Sequence, residues 1–384
     1  MKQLKTENSF SDERFRVIYK IRGDKKRAFE SAQDICLEQT VEFPFELLPE
    51  GLIKESVIGR IESFDEKEKE IFEACISYSV ETASKELTQL LNVIFGNISI
   101  KPGIQVKSVD SGNTLFKQFK GPRFGRTGLR ELLGVKKRPL LATALKPMGL
   151  SSEELGRLAY KFAVGGIDLI KDDHGLSNQV YAPFESRVEA CVKAVNKANA
   201  ETGLRSRYIP NITAPFDEIY KRAHFAKEAG AGGLMIAPGI TGLDTMRSLA
   251  ENDDLALPII SHPAFQGSFA INFSGISHFV LFGQLARLAG ADATIYPNFG
   301  GRFSFSKDEC LDIVRGTNIA MGNISTIFPC PGGGMSLTNI PQMAQVYDND
   351  VIFLIGGGLF KAGPDLTQNC RYFKELIEKH YTHL

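Results

Sequence analysis

From Pro139 onward the chain alternates short apolar runs with amphipathic stretches, eight times in succession. The apolar runs are PLLATALKP (139–147), DLIKDD (168–173), RYIPNIT (207–213), GLMIAPG (233–239), PIISHP (258–263), ATIYP (293–297), STIFPCPG (325–332) and VIFLIGGG (351–358). Parallel strands buried on both faces read this way. Between them, apolar residues return at helical spacing. In SSEELGRLAYKFAVGG, Leu155, Leu158, Ala159, Phe162 and Ala163 share one stripe. Ser151 stands at the N-cap, and Glu154 three residues later completes a capping box. In HFVLFGQLARLAG, Leu281, Leu285, Leu288 and Ala289 form a similar stripe, and Gly166, Gly203 and Gly290 stand where helices should stop. Eight such units match a (β/α)8 barrel, which takes about 250 residues. A doubly wound open sheet is the competing architecture, but it more often carries a G-x-G-x-x-G turn after its first strand. Here that strand ends in Leu145-Lys146-Pro147, so the barrel is the expected fold.

Residues 1–135 lack this repeat. RFRVIYKI (14–21) and ESVIGRIESFD have strand character, whereas KRAFESAQDICLEQ (26–39) and ASKELTQLLNVIFG have helical spacing. The pattern predicts a small α+β domain over 1–135, followed by the barrel over 136–384. The stretch FKGPRFGRTGLRELLG leads from one to the other.

Charge and composition narrow the function classes. Lys plus Arg and Asp plus Glu balance at 45 each, so there is no basic excess to attract nucleic acid or an anionic membrane. The polar start MKQLKTENSFSDE has no secretory pattern, and no apolar run approaches the ~18 residues of a membrane span. The six cysteines are scattered without a CxxC pair. This fits reduced thiols in a cytoplasmic protein and argues against a zinc site.

Catalytic groups of such barrels sit at the carboxyl ends of the strands. Strand one ends at Lys146, strand two in Lys171-Asp172-Asp173-His174, strand three at Asn211 and strand five at His262. Strand six ends at Tyr296 and Asn298, with Arg302 in its loop. Strands seven and eight end in Gly332-Gly333-Gly334 and Gly356-Gly357-Gly358. Glycines there let backbone N–H groups approach phosphate oxygens; the plain alternative is two flexible turns. Alternation along a strand sends Lys171 and Asp173 to the same side. A free ammonium cannot ligate a metal, so Lys171 is either carbamylated or an acid–base or charge-stabilising group. A lysine before a proline, a charged run or a lone histidine also occurs as ordinary structure.

Taken together these segments resemble the RuBisCO large-subunit superfamily, and specifically its RuBisCO-like (form IV) proteins. GGIDLIKDDHG (165–175) is similar to the signature around the carbamylated lysine, and LKPMGLS (145–151) to the segment with the strand-one lysine. FGNIS (95–99) and ICLEQT (35–40) resemble two active-site segments of the amino-terminal domain. IISHP, PGGG and IGGG follow in matching order. The resemblance implies a ferredoxin-like α+β domain before the barrel, and a homodimer whose active sites are shared, with Glu38 and Asn97 reaching the partner's site. It makes Lys146, Lys171 and His262 catalytic, together with Glu38 and Asn97. Lys171, Asp173 and His174 become ligands of one Mg²⁺, and Gly333, Gly334, Gly356 and Gly357, with Arg302, bind phosphate.

The departures carry information too. Met148 stands where RuBisCO has a second lysine, Pro263 where it has a phosphate-holding arginine, Tyr296 where it has a histidine, and His174 where it has a glutamate. Imidazole suits transition metals better than Mg²⁺, so His174 is a ligand of either cation, an acid–base group beside it, or part of a site without metal. Loss of one phosphate clamp and of the second lysine points away from CO2 fixation on ribulose bisphosphate. It points toward an enolate formed on a singly phosphorylated keto sugar or sugar acid. The KDDHG signature favours a 3-oxo-isoapionate 4-phosphate transcarboxylase/hydrolase. A 5-methylthioribulose 1-phosphate isomerase or a methionine-salvage enolase is the alternative, and a non-catalytic phospho-sugar binding protein is the alternative of another class.

Overall fold

The computed structural model describes residues 10–110, 115–301, 303 and 305–381. They divide into two compact units. The first is Met1–Phe119 with Ser268–Leu281 and Met321–Ile324; the second is Lys120–Gly267, Phe282–Ala320 and Ser325–Leu384.

The first unit is built on strands β1 (Arg14–Arg22), β2 (Arg60–Glu68), β3 (Ile71–Ser79) and β4 (Ile104–Asp110). They lie in the spatial order β4-β1-β3-β2, all antiparallel. Helix Lys25–Glu38 follows β1 and helix Leu87–Phe95 follows β3, which gives the βαββαβ order of a ferredoxin-like domain. In β1, Phe15, Val17, Tyr19 and Ile21 are buried and alternate with more exposed residues, as a sheet covered on one face requires. The expected second strand begins later than its apolar residues suggested, because Ile53–Val57 winds into a π-helical turn. Strand β3 escaped the periodicity reading because Ile71 and Cys75, on the other face from buried Phe72, Ala74 and Ile76, are apolar as well.

The second unit carries eight parallel strands: β5 (Leu140–Leu145), β6 (Leu169–Asp172), β7 (Arg207–Ile209), β8 (Leu234–Ile236) and β9 (Ile259–Ser261). Strand β10 (Gly275–Ile276) belongs to the first unit, where it pairs in parallel with β4; the second unit continues with β11 (Ala293–Pro297), β12 (Phe328–Gly332) and β13 (Ile352–Leu354). Hydrogen-bonded neighbours run β13-β5-β6-β7 and β8-β9-β11-β12. A parallel bridge between Asn211 and Met235 joins β7 to β8, and Gly332 of β12 lies against Leu354 of β13. The circuit is therefore that of a (β/α)8 barrel. Its interior is packed with apolar side chains from every strand, including Ala142, Leu169, Ile295 and Phe328.

Helix Gly125–Leu133 belongs to this unit: Leu129 and Leu133 pack into the barrel core. Buried Asp292 fixes its start, its carboxylate accepting from the Phe124 and Gly125 N–H groups at 2.8 and 2.7 Å and from Ile259 N–H at 2.8 Å. The sequence division at residue 135 had assigned this helix to the first domain.

Local signals behave as physical chemistry asks. Ser151 and Glu154 form the reciprocal capping box of helix Ser152–Val164, and Gly203 ends helix Phe184–Thr202 in the left-handed conformation. The stripe around Leu281 instead begins as a π-helix, Phe279–Leu285, before one α-turn. Among the described residues no helix is long and apolar enough to cross a membrane.

Candidate active site

Strand β6 sets the polarity of the site. Leu169 points into the barrel core, so Lys171 follows on the same side. Lys171 is 4% exposed and donates to the Asp172 carbonyl at 2.9 Å. Burial pushes its amine down to about 8, against the opposing pull of Asp173. Asp172 points the other way. It is fully buried and accepts from Arg187 Nε at 3.1 Å, Tyr208 OH at 2.7 Å and the Asn211 N–H at 3.0 Å. The two aspartates therefore have opposite lives: Asp172 anchors the strand to helix Phe184–Thr202, and Asp173 opens to the mouth of the barrel. Asn211, at the end of strand three, holds the loop beyond by donating to the carbonyls of His174 and Leu176 at 3.0 and 2.9 Å.

Lys146 reaches Asp173 from the end of β5, Nζ to Oδ1 at 2.8 Å. His174 Nδ1 is 3.5 Å from the same oxygen. Burial alone would raise the Asp173 carboxyl, but hydrogen bonds from His174 and Lys146 and the lysine charges outweigh it and hold the group well below its ordinary range. His174 stacks on His262, the ring centroids 4.8 Å apart and the planes 14° from parallel. His262 Nδ1 accepts from the Ala264 N–H at 3.2 Å, which leaves Nε2 as the protonated nitrogen of a neutral ring. Burial first, then neighbouring Lys171 and His174, push its pKa down to about 2. His262 is therefore a neutral hydrogen-bond donor. Met148 packs over Gly175, whose added Cβ would meet Met148 Sδ at 2.5 Å.

The glycine loops complete the ring. Gly333 and Gly334 have φ of +70° and +135°, conformations costly to any other residue. A Cβ on Gly334 would lie 2.4 Å from Gly301 Cα, and one on Gly301 would lie 2.2 Å from Gly333 O. Gly356 lies beside the Lys146 stem, an added Cβ standing 3.7 Å from Cε, and the space above Gly357 is open. Arg302 lies outside the described residues. In the first unit, Glu38 ends its helix and accepts from Asn97 Nδ2 at 3.0 Å. Buried Gln39 ties the two segments together, donating to the Asn92 and Val93 carbonyls and accepting from the Ile98 N–H.

As free side chains these groups do not form a metal centre. Among the described residues no three His, Cys, Asp or Glu are arranged to hold an ion. With Lys171 as a carbamate the donor set becomes carbamate, carboxylate and imidazole, which fits a divalent cation.

Sequence reasoning did not assign a role to the network beneath the site, Asp172–Arg187–Tyr208. The signal was present, since alternation puts Asp172 opposite Lys171. It also missed the buried side chain of Asn298.

The family model for the ribulose bisphosphate carboxylase large chain, catalytic domain, matches residues 125–363. The chain is 35% identical over 362 residues to the 5-methylthioribulose-1-phosphate isomerase of Rhodospirillum rubrum, covering 94% of this chain and 95% of that protein. It is 34% identical to ribulose bisphosphate carboxylase-like protein 1 of Rhodopseudomonas palustris, covering 96% and 98%. The crystal structure of a Rubisco-like protein from Rhodopseudomonas palustris superimposes with a TM-score of 0.86 at 34% identity, over 96% of this chain and 99% of that one. The chain belongs to the RuBisCO large-chain family, as an enzyme of its RuBisCO-like, form IV branch.

Proposed function

We propose that this enzyme isomerises a singly phosphorylated keto sugar of the 5-methylthioribulose 1-phosphate kind by moving a proton through an enolate. The observation that carries the reading is the placement of Lys146. Its ammonium is 2.8 Å from Asp173 and its stem lies against Gly356, so a proton-transfer group adjoins a loop suited to phosphate. The relative named as an isomerase matches along nearly its whole length. Of the two relatives named above, the one whose name states an activity is an isomerase, so the preference drawn from the KDDHG signature passes to that activity.

In this reading the backbone of Gly333, Gly334, Gly356 and Gly357 takes the phosphate. Lys171 as carbamate, Asp173 and His174 hold one divalent cation, Mg²⁺ by the family's habit and a transition metal by the chemistry of His174. When bound, such an ion polarises a carbonyl and stabilises the adjoining oxyanion. Lys146, once its ammonium proton has passed to solvent, takes the proton from the carbon beside the carbonyl, and the C–H electron pair passes into the enolate; the hydroxyl proton on that carbon moves to the former carbonyl oxygen, and the abstracted proton returns to the former carbonyl carbon. No co-reactant is consumed. His262 Nε2–H donates to the enolate oxygen and, being neutral, does not compete for the proton. Glu38 and Asn97 serve the site of a partner subunit in a homodimer.

Phosphorus NMR of the purified protein tests this, with Mg²⁺ or Mn²⁺ and bicarbonate. 5-Methylthioribulose 1-phosphate, 3-oxo-isoapionate 4-phosphate and ribulose 1,5-bisphosphate would be supplied separately. A new sugar-phosphate resonance from the first compound alone is expected. Formation of 3-phosphoglycerate from the second would reverse the choice, and no change with any of them would remove the isomerase reading.

A further inference from the structure

Asn298 is fully buried just beyond β11, and its polar groups reach the loop after strand seven and the segment that follows that loop. Its N–H donates to the Gly332 carbonyl at 2.7 Å. Its side-chain oxygen accepts from Tyr347 OH at 2.8 Å. Its amide nitrogen faces two thioethers, Met335 Sδ at 3.1 Å and Met343 Sδ at 3.2 Å. Met335 directly follows the glycine triplet, and its carbonyl lies 3.0 Å from where a Cβ on Gly358 would stand. One side chain thus links the end of strand six, the loop after strand seven and, through Met335, the loop after strand eight.

Stability alone is a poor account of this arrangement. Thioether sulfur is a weak acceptor, and an apolar side chain of the same shape among two methionines would cost little once its polar partner is also removed. What an amide does that leucine cannot is fix direction. The backbone of Gly333 and Gly334 has no side chains of its own to hold it. Among the described residues, Asn339 Nδ2 donates to the Gly334 carbonyl at 3.1 Å, and the Asn298 side chain holds the loop from its other end, through Met335.

We infer that Asn298 is a positioning residue for the phosphate site, holding the loops after strands seven and eight so that their N–H groups converge on one oxyanion. This rests on the reading of those loops as the phosphate site. Asn298 touches no substrate, so its loss should appear in phosphate affinity rather than in proton transfer.

The test measures inorganic phosphate binding by titration calorimetry, and KM and kcat for the phosphorylated substrate, in wild type, Asn298→Leu, Tyr347→Phe and the double variant. Loss of the directing bonds is expected to weaken phosphate binding and raise KM about tenfold in Asn298→Leu, with kcat nearly unchanged. Tyr347→Phe should weaken binding about threefold, and the double variant should be no weaker than Asn298→Leu. Wild-type phosphate affinity in a folded Asn298→Leu, or a fall in kcat at unchanged KM, overturns the assignment alone. If Asn298→Leu does not fold, Tyr347→Phe decides, and unchanged affinity there overturns it. Failure of the wild-type protein to bind phosphate overturns the glycine-loop reading and this assignment with it.

Discussion

The two halves of the barrel mouth are made of different materials. On the side of β5, β6 and β9, chemistry is carried by side chains: Lys146, Asp173, His174 and His262 form a chain of contacts, and the Lys171 charge acts on Asp173 and His262. On the side of β12 and β13 it is carried by bare backbone, with Gly301 and Gly334 packed so closely that neither accepts a Cβ. The first half depends on charge and burial. The second depends on backbone conformations only glycine adopts readily. Damage to one should spare the other, which makes the division testable.

The largest effect is expected from Lys171→Ala. Whether its amine or its carbamate is the working group, removal should lower kcat by a factor of about 10²–10⁴, the usual worth of a positioned acid–base group. Phosphate affinity should stay near wild type, because the Lys171 amine bonds the Asp172 carbonyl within β6, whereas the phosphate reading rests on the glycine loops. Steady-state kinetics beside phosphate titration checks this; activity within a few-fold of wild type would remove Lys171 from the catalytic set.

Gly334→Ala is the reciprocal experiment and should have the smaller effect. At φ of +135° with Gly301 Cα only 2.4 Å from the added methyl, the loop must shift. Backbone strain of this kind is worth about 1–3 kcal/mol. Phosphate binding should weaken about 5- to 150-fold, while the thermal unfolding profile against pH, which reads the charged half, keeps its shape. Unchanged phosphate affinity would mean that the glycines serve the turn and not the ligand.

The halves also differed in how far the sequence disclosed them. Residue identity and alternation sufficed to put Lys171 and Asp173 on one side of β6, because period two is set by the pleat. The capping box at Ser151 was equally local. The glycine triplets were visible as letters, but their close approach to Gly301 depends on which loops meet across the barrel. Asn298 looked like any polar residue at a strand end, because its partners Tyr347, Met335 and Met343 lie 37 to 49 residues away. The same distance effect hid where helix Gly125–Leu133 packs. Substrate choice was the least legible, since it turns on loop residues with no periodic signal.

The smallest expected effect concerns stability, and it separates the halves by sign. Burial lowers the Lys171 amine from its ordinary value of 10.5 to about 8, so the folded state binds this proton less tightly than the unfolded chain does. Below pH 8 both states carry the charge, and the fold bears the full cost of burying an ammonium. Between about pH 8 and 10.5 the folded state has released the proton while the unfolded chain still holds it, so the cost declines as pH rises. Lys171→Met replaces the ammonium by an apolar group of similar length and removes that cost. Its melting temperature should exceed that of wild type by a few degrees at pH 7, and the gap should close as pH approaches 10. Gly334→Ala should instead melt below wild type by an amount that does not vary across the same range, because no titrating group is involved. A gap between Lys171→Met and wild type that stays constant with pH would show that Lys171 is not held as a buried, readily neutralised amine. The ease of forming a carbamate there would then have lost its physical basis.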